Sequence, residues 1–111
     1  MIWRIRERRA FARLTAQGRR ARAGDLWCTY LLDPPGIAAP PRVAFALGRA
    51  LGPAVVRNRV RRQLRAILQD ASAAGQLPPG MYLFGARPTA ISRSSAELTF
   101  DLHQLLRRLQ G

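Results

Sequence analysis

The segment from Ala54 to about Ala74 constrains the fold more than any other part of the chain. Placed on a helix at 100° per residue, Val56, Val60, Leu64 and Ile67 fall within about 80° of one another. Asn58, Arg61, Arg62 and Arg65 cover the opposite side. Pro53 precedes the segment, Gly75 can cap it, and Pro78-Pro79-Gly80 prevents its continuation. Stretches rich in β-formers flank it on both sides, so the apolar stripe of this long helix is expected to pack against a sheet.

The remaining elements follow from period and punctuation. Phe11 and Leu14, three apart beside Ala10 and followed by Gly18, predict a short helix over residues 7–17. Leu26–Leu32 reads as a strand, stopped by the turn chemistry of Asp33-Pro34-Pro35-Gly36. After a Pro-rich loop through Pro40-Pro41, Arg42–Leu47 reads as a second strand, and Gly48 and Gly52 bracket a turn or a third. Met81–Ala86 reads as a buried strand ended by Arg87-Pro88. Leu98, Leu102, Leu105, Leu106 and Leu109 recur on one helical face, with Ser94 and Glu97 at capping-box spacing ahead of them and Gly111 at the end. The order α-β-β-(β)-α-β-α predicts an α/β (α+β) two-layer sandwich, its helices packed on a central four-stranded sheet. At 111 residues and 48% hydrophobic composition the chain suits one core, a single domain over residues 1–111.

Charge narrows the function. Nineteen arginines and no lysine stand against six acidic residues, a net charge of +13. A neutral metabolic enzyme is not the default for such a chain, and a polyanion is the expected partner. The all-arginine usage fits two causes: the planar guanidinium fork that grips phosphate, and a GC-rich coding bias. Distribution is more telling. Residues 57–65 hold five arginines, and no acid follows before Asp70. Helical neighbours at i and i+4 such as Arg57, Arg61 and Arg65 lie about 5–6 Å apart and repel unless a partner neutralises them. Successive phosphates are such a partner.

Several functions are poorly supported. No run of 18 apolar residues exists, and the basic N-terminus lacks a following apolar stretch, so neither a membrane span nor a secretory signal is expected and the location expected is cytoplasmic. Cys28, the only cysteine, reads as a small buried strand residue. An autonomous nuclease would need clustered carboxylates or histidines. Glu97, Asp101 and His103 are the nearest approach, and helix capping explains the acids. No catalytic side chain and no metal ligand is assigned. Strands on both sides of the basic helix disfavour a helix-turn-helix reader of DNA.

The run Gly52-Pro53-Ala54-Val55-Val56-Arg57-Asn58-Arg59-Val60-Arg61-Arg62, followed by Arg65, resembles the signature of the bacterial ribonuclease P protein subunit. Phe11, Leu14 and Gly18 resemble that family's first helix. Tyr30 falls at the aromatic position of its first long strand, Arg42-Val43 opens the strand before the motif, and Arg87-Pro88 ends the later strand. Pro53 replaces the usual Asn, Ala46 and Gly48 stand where Ser is common, and Thr15 sits where a second helix aromatic is often found.

The resemblance implies a ribosomal protein S5 domain 2-like fold and a ribonucleoprotein endoribonuclease whose RNA removes the 5′ leader of precursor tRNA. Its partners would be ribonuclease P RNA and precursor tRNA, with no membrane and no small-molecule substrate. The protein alone would bind no cofactor, and Mg²⁺ would act in the complex. By that analogy Arg57, Asn58, Arg59, Arg61, Arg62 and Arg65 would contact the catalytic RNA, with Arg42, Arg49 and Arg87 as further RNA contacts. Phe11 and Tyr30 would line the cleft for the single-stranded leader. A general basic RNA-binding or ribosome-associated protein without a role in cleavage is the alternative reading.

Overall fold

The structure, a computed structural model, describes residues 1–36 and 39–110. Residues 37 and 38 of the Pro-rich loop and Gly111, where the last helix is expected to end, lie outside the described residues. The chain runs β1 (Trp3–Arg4), α1 (Arg8–Gln17), β2 (Arg19–Ala23), β3 (Leu26–Leu32), β4 (Arg42–Ala46), α2 (Ala54–Ala73), β5 (Gly80–Ala86) and α3 (Ser95–Gln110). Single 3₁₀ turns at Arg49–Leu51 and Pro88–Ser92 precede α2 and α3.

The long helix forms where its punctuation places it. Pro53 occupies the N-cap with φ −60°, and Val60, Leu64, Leu68 and Ala71 are buried. Val56 and Ile67, expected in the stripe, are half-buried at its margin. At the far end Gly75 adopts φ +73°, which lets the Gln76 N–H donate to the Ala71 carbonyl at 2.8 Å. The α3 start is the expected capping box: the Glu97 N–H donates to Ser94 Oγ at 3.1 Å and the Ser94 N–H to Glu97 Oε1 at 2.9 Å.

The sheet has five strands, not the expected four, in the order β1-β4-β5-β3-β2. β4 runs parallel to both β1 and β5, whereas β3 is antiparallel to β5 and β2. Two strands, β1 and β2, were not expected from the sequence. β2, Arg-Arg-Ala-Arg-Ala, pairs with β3 from Arg19↔Tyr30 to Ala23↔Leu26 because a Gly24-Asp25 turn, with Gly24 at φ +56°, folds it back. β1 is two residues long and exists by pairing with β4. The stretch between Gly48 and Gly52, expected as a turn or third strand, is the first 3₁₀ turn.

Strand alternation divides the interior. Cys28 and Tyr30 of β3, Val43 of β4 and Tyr82 and Phe84 of β5 join the main core with Val60, Leu64 and Leu68 of α2 and the leucines of α3. The sheet with α2 and α3 makes two layers as expected, but α1 lies apart from them on the opposite face. Cys28 is fully buried in the main core, and loss of solvent pushes its thiol pKa far above the ordinary range. On the other face Leu31, Ala44, Met81 and Leu83 pack with Ile5 and with Ala10, Phe11 and Leu14 of α1. One ten-residue helix thus covers part of a face that the remaining chain leaves open.

Candidate nucleic-acid interface

Residues of the signature run sit on α2 as a cationic row. Arg59, Arg62 and Asn58 are exposed or half-buried at its crest, and Arg57, Arg61 and Arg65 flank them. The Asn58 side-chain oxygen accepts a bond from the Arg61 guanidinium at 2.6 Å, and Arg57 Nε is shielded from solvent with no hydrogen-bond partner. Arg49 is exposed on the 3₁₀ turn leading into the helix. Among the described residues, ion pairs engage Arg42 with Asp33 at 2.5 Å and Arg93 with Glu97 and Asp101 at 3.0 and 2.9 Å, and no others. The arginines of α2 therefore have no acidic partner among the described residues. Val55, 72% exposed, adds an apolar contact beside Asn58, Arg61 and Arg62.

A second basic surface occupies the α1 side of the sheet. Between the N-terminal segment and α1 lies an open cleft of about 590 Å³, lined by five arginines (Arg4, Arg6, Arg9, Arg13 and Arg42) and one acid, Glu7, with Trp3 at its wall and Met81 beneath. Toward the β2–β3 hairpin a smaller hollow of about 370 Å³ is lined by Arg20, Arg22, Arg87 and Trp27. Phe11 packs half-buried on this side, and the hydroxyl of Thr15, one turn later, donates to the Phe11 carbonyl at 2.9 Å.

The expected site residues thus fall into separate groups. Arg57, Asn58, Arg59, Arg61, Arg62 and Arg65 lie together, with Arg49 on the adjoining turn; Arg42, Arg87 and Phe11 lie on the α1 side. Tyr30, expected beside Phe11 in the leader cleft, does not join it. Strand alternation turns Tyr30 to the α2–α3 face, where it is 6% exposed and part of the main core. The aromatic of β3 on the α1 side is Trp27, directly opposite Arg22 in the hairpin register. Sequence reasoning expected one cleft beside Phe11 and missed the residues that line the two found, Arg4, Arg6, Arg9 and Arg13 in one and Arg20, Arg22 and Trp27 in the other. Their signal was present, since eight of the nineteen arginines fall in residues 1–22, but the strands that arrange them were unrecognised.

The acidic trio near the C-terminus is otherwise occupied. Arg93 holds both oxygens of Asp101, at 3.1 and 2.9 Å, and reaches Glu97 as well, while His103 is exposed. Bonds from the Ser94 N–H and hydroxyl, with Arg93 nearby, hold the Glu97 carboxyl below its ordinary pKa. Among the described residues no three His, Cys, Asp or Glu side chains gather as a metal site. None of the described helices is long and apolar enough to cross a membrane.

The architecture is that of solved bacterial RNase P proteins. The Staphylococcus aureus protein superposes with TM-score 0.83 at 19% identity, over 96% of this chain and 94% of that one. The Thermotoga maritima protein superposes with TM-score 0.81 at 22% identity, over 97% and 98%. In sequence, the family described as Ribonuclease P matches residues 2–110. The chain is 41% identical to the ribonuclease P protein component of Streptomyces avermitilis, over 97% of this chain and 92% of that one. It is 38% identical to that of Thermobifida fusca, over 94% and 74%. The chain belongs to the ribonuclease P protein family. It is a protein subunit of that endoribonuclease, a ribonucleoprotein, and so has an RNA partner.

Proposed function

We propose that the chain binds ribonuclease P RNA along α2 and the single-stranded 5′ leader of precursor tRNA on the α1 side of the sheet, assisting RNA-catalysed removal of the leader in the cytoplasm. The observation that carries this reading is the division of unpaired arginines between two sides of one sheet. The α2 row suits successive phosphates, because a rigid helix presents guanidinium groups at a regular interval. The open α1 side, with Phe11 and a rim of arginines, suits an unpaired strand whose bases can meet an aromatic face. Arg42, Arg49 and Arg87 serve as flanking phosphate contacts, Arg42 sharing its guanidinium with Asp33.

Hydrolysis needs a metal-activated water, and this chain's carboxylates do not fit that task. Asp33, Glu97 and Asp101 are taken by arginines, Asp25 accepts from the Thr89 hydroxyl, and Glu7, the acid of the α1-side cleft, stands among five arginines with no second metal ligand in the cleft lining. Mg²⁺ is therefore assigned to the RNA of the complex, and the protein's part is to bind, orient and neutralise.

The test mixes the chain with a bacterial ribonuclease P RNA and a 5′-extended precursor tRNA at low Mg²⁺, where the RNA alone is slow. Release of leader that needs both components is the expected result. Cleavage by the protein alone would return the acidic residues to consideration, and stimulation equalled by any basic protein would favour general RNA binding. Arg57→Ala with Arg65→Ala should weaken RNA binding and lower its salt slope by about 0.7–0.9 for each phosphate no longer neutralised.

A further inference from the structure

On the α1 side of the sheet, Trp27 of β3 is half-buried and held against the strand beside it, whereas Trp3 of β1 is 51% exposed at the wall of the larger cleft. The Trp27 indole lies flat against Gly85, where even a Cβ would come within 2.1 Å of the ring. The Arg20 guanidinium stands 4.9 Å from the ring centroid. Arg22 and Arg87 complete the rim of the hollow, and no acidic residue lines it. A cationic ligand is disfavoured by three guanidinium groups, and a neutral apolar one would not use them. The complement of a fixed aromatic plane ringed by cations is a flat ring carrying anionic groups at its sides, which describes an unpaired nucleobase between its two phosphates.

We infer that Trp27 is a stacking platform for one base of the leader strand, with Arg20, Arg22 and Arg87 holding the adjoining phosphates. The inference rests on the proposed leader surface and extends it to a position Tyr30 cannot fill from the main core. Arg20 occupies the ring in the free protein, so binding exchanges its cation–π contact for base stacking and a phosphate pair. Gly85 is what permits the geometry, because any side chain there would lift the indole off the sheet. Leu31 lies four residues from Trp27 along β3, or about 13 Å, which separates the Phe11 cluster from the platform by roughly two nucleotides of extended strand.

The test uses the reconstituted ribonucleoprotein and a series of precursor tRNAs, each with one abasic leader nucleotide. With the wild-type protein, one position in the series should bind about 5- to 150-fold more weakly than the intact leader. Trp27→Leu should weaken the intact leader comparably and show no further loss at that position, while other abasic positions remain additive. Where Trp27→Leu melts below the assay temperature, Trp27→Phe takes its place and must show a partial loss coupled to the same nucleotide. A folded Trp27 variant that binds every leader as the wild type does overturns the inference. If Phe11→Ala still weakens leader binding in that case, the leader surface stands and the Trp27 platform alone falls; if Phe11→Ala is also silent, the leader surface falls with it.

Discussion

Asp101 is 4% exposed, and its carboxylate joins three parts of the chain: its own helix, Arg93 ahead of it and the Gly24 turn against which it rests. Asp101→Ala removes both acceptors of Arg93, but that arginine retains some solvent. The loss should fall below the roughly 3–5 kcal/mol of a fully buried pair, at about 2 kcal/mol by urea denaturation. A Cβ on Gly24 would meet the Asp101 carboxyl at 2.5 Å, and φ +56° strains any other residue. Gly24→Ala should cost about 1–3 kcal/mol, and less in the Asp101→Ala background, where the collision is relieved. Glu97 makes a pH-dependent contribution. Its folded pKa lies below the unfolded one, so its stabilisation is present above the ordinary carboxylate range and lost as pH falls through the folded value. The melting-temperature gap between wild type and Glu97→Gln should therefore be open at pH 7 and close in acid.

At the scale of elements, the two faces of α2 separate stability from binding. Leu64 is fully buried, so Leu64→Ala should cost about 2–5 kcal/mol of stability. Arg62 lies on the basic face with no acidic partner among the described residues, so Arg62→Ala should leave stability within about 0.5 kcal/mol while weakening RNA binding, as thermal melts and binding titrations on the same samples will show. This helix was legible in the sequence because period, cap and breaker agree over twenty residues. β3 was legible because Leu26–Leu32 is β-forming throughout. β2 was not, since its arginines have no strand preference and its place is set by the hairpin partner. Tyr30 was misplaced for a related reason. An alternating strand shows which residues share a face, but which face meets the larger helical layer depends on tertiary packing that no single strand encodes. The α2 row was read correctly as one surface, whereas the lining of the α1-side clefts depends on β1 and β2 and was invisible without them.

The whole molecule carries +13, and both its RNA-facing sides contribute to mutual repulsion in the free state. Screening acts over about 10 Å at 0.1 M salt, so raising salt from low values should increase the melting temperature of the free protein while weakening its RNA complex. Opposite slopes in melting and binding experiments are the expected signature; parallel slopes would mean that the two surfaces are not the source of the repulsion. The strand order has a separate implication for how the chain comes into being. β5 sits in the middle of the sheet, between β4 and β3, yet it is the last strand to be synthesised. Before Gly80–Ala86 leaves the ribosome, the β2–β3 hairpin and the β1–β4 pair have no strand to join them. Fifteen of the nineteen arginines have been made by then. At about 5–20 residues per second the nascent chain spends seconds as an open polycation beside ribosomal RNA, and the arrival of one apolar strand ends that exposure.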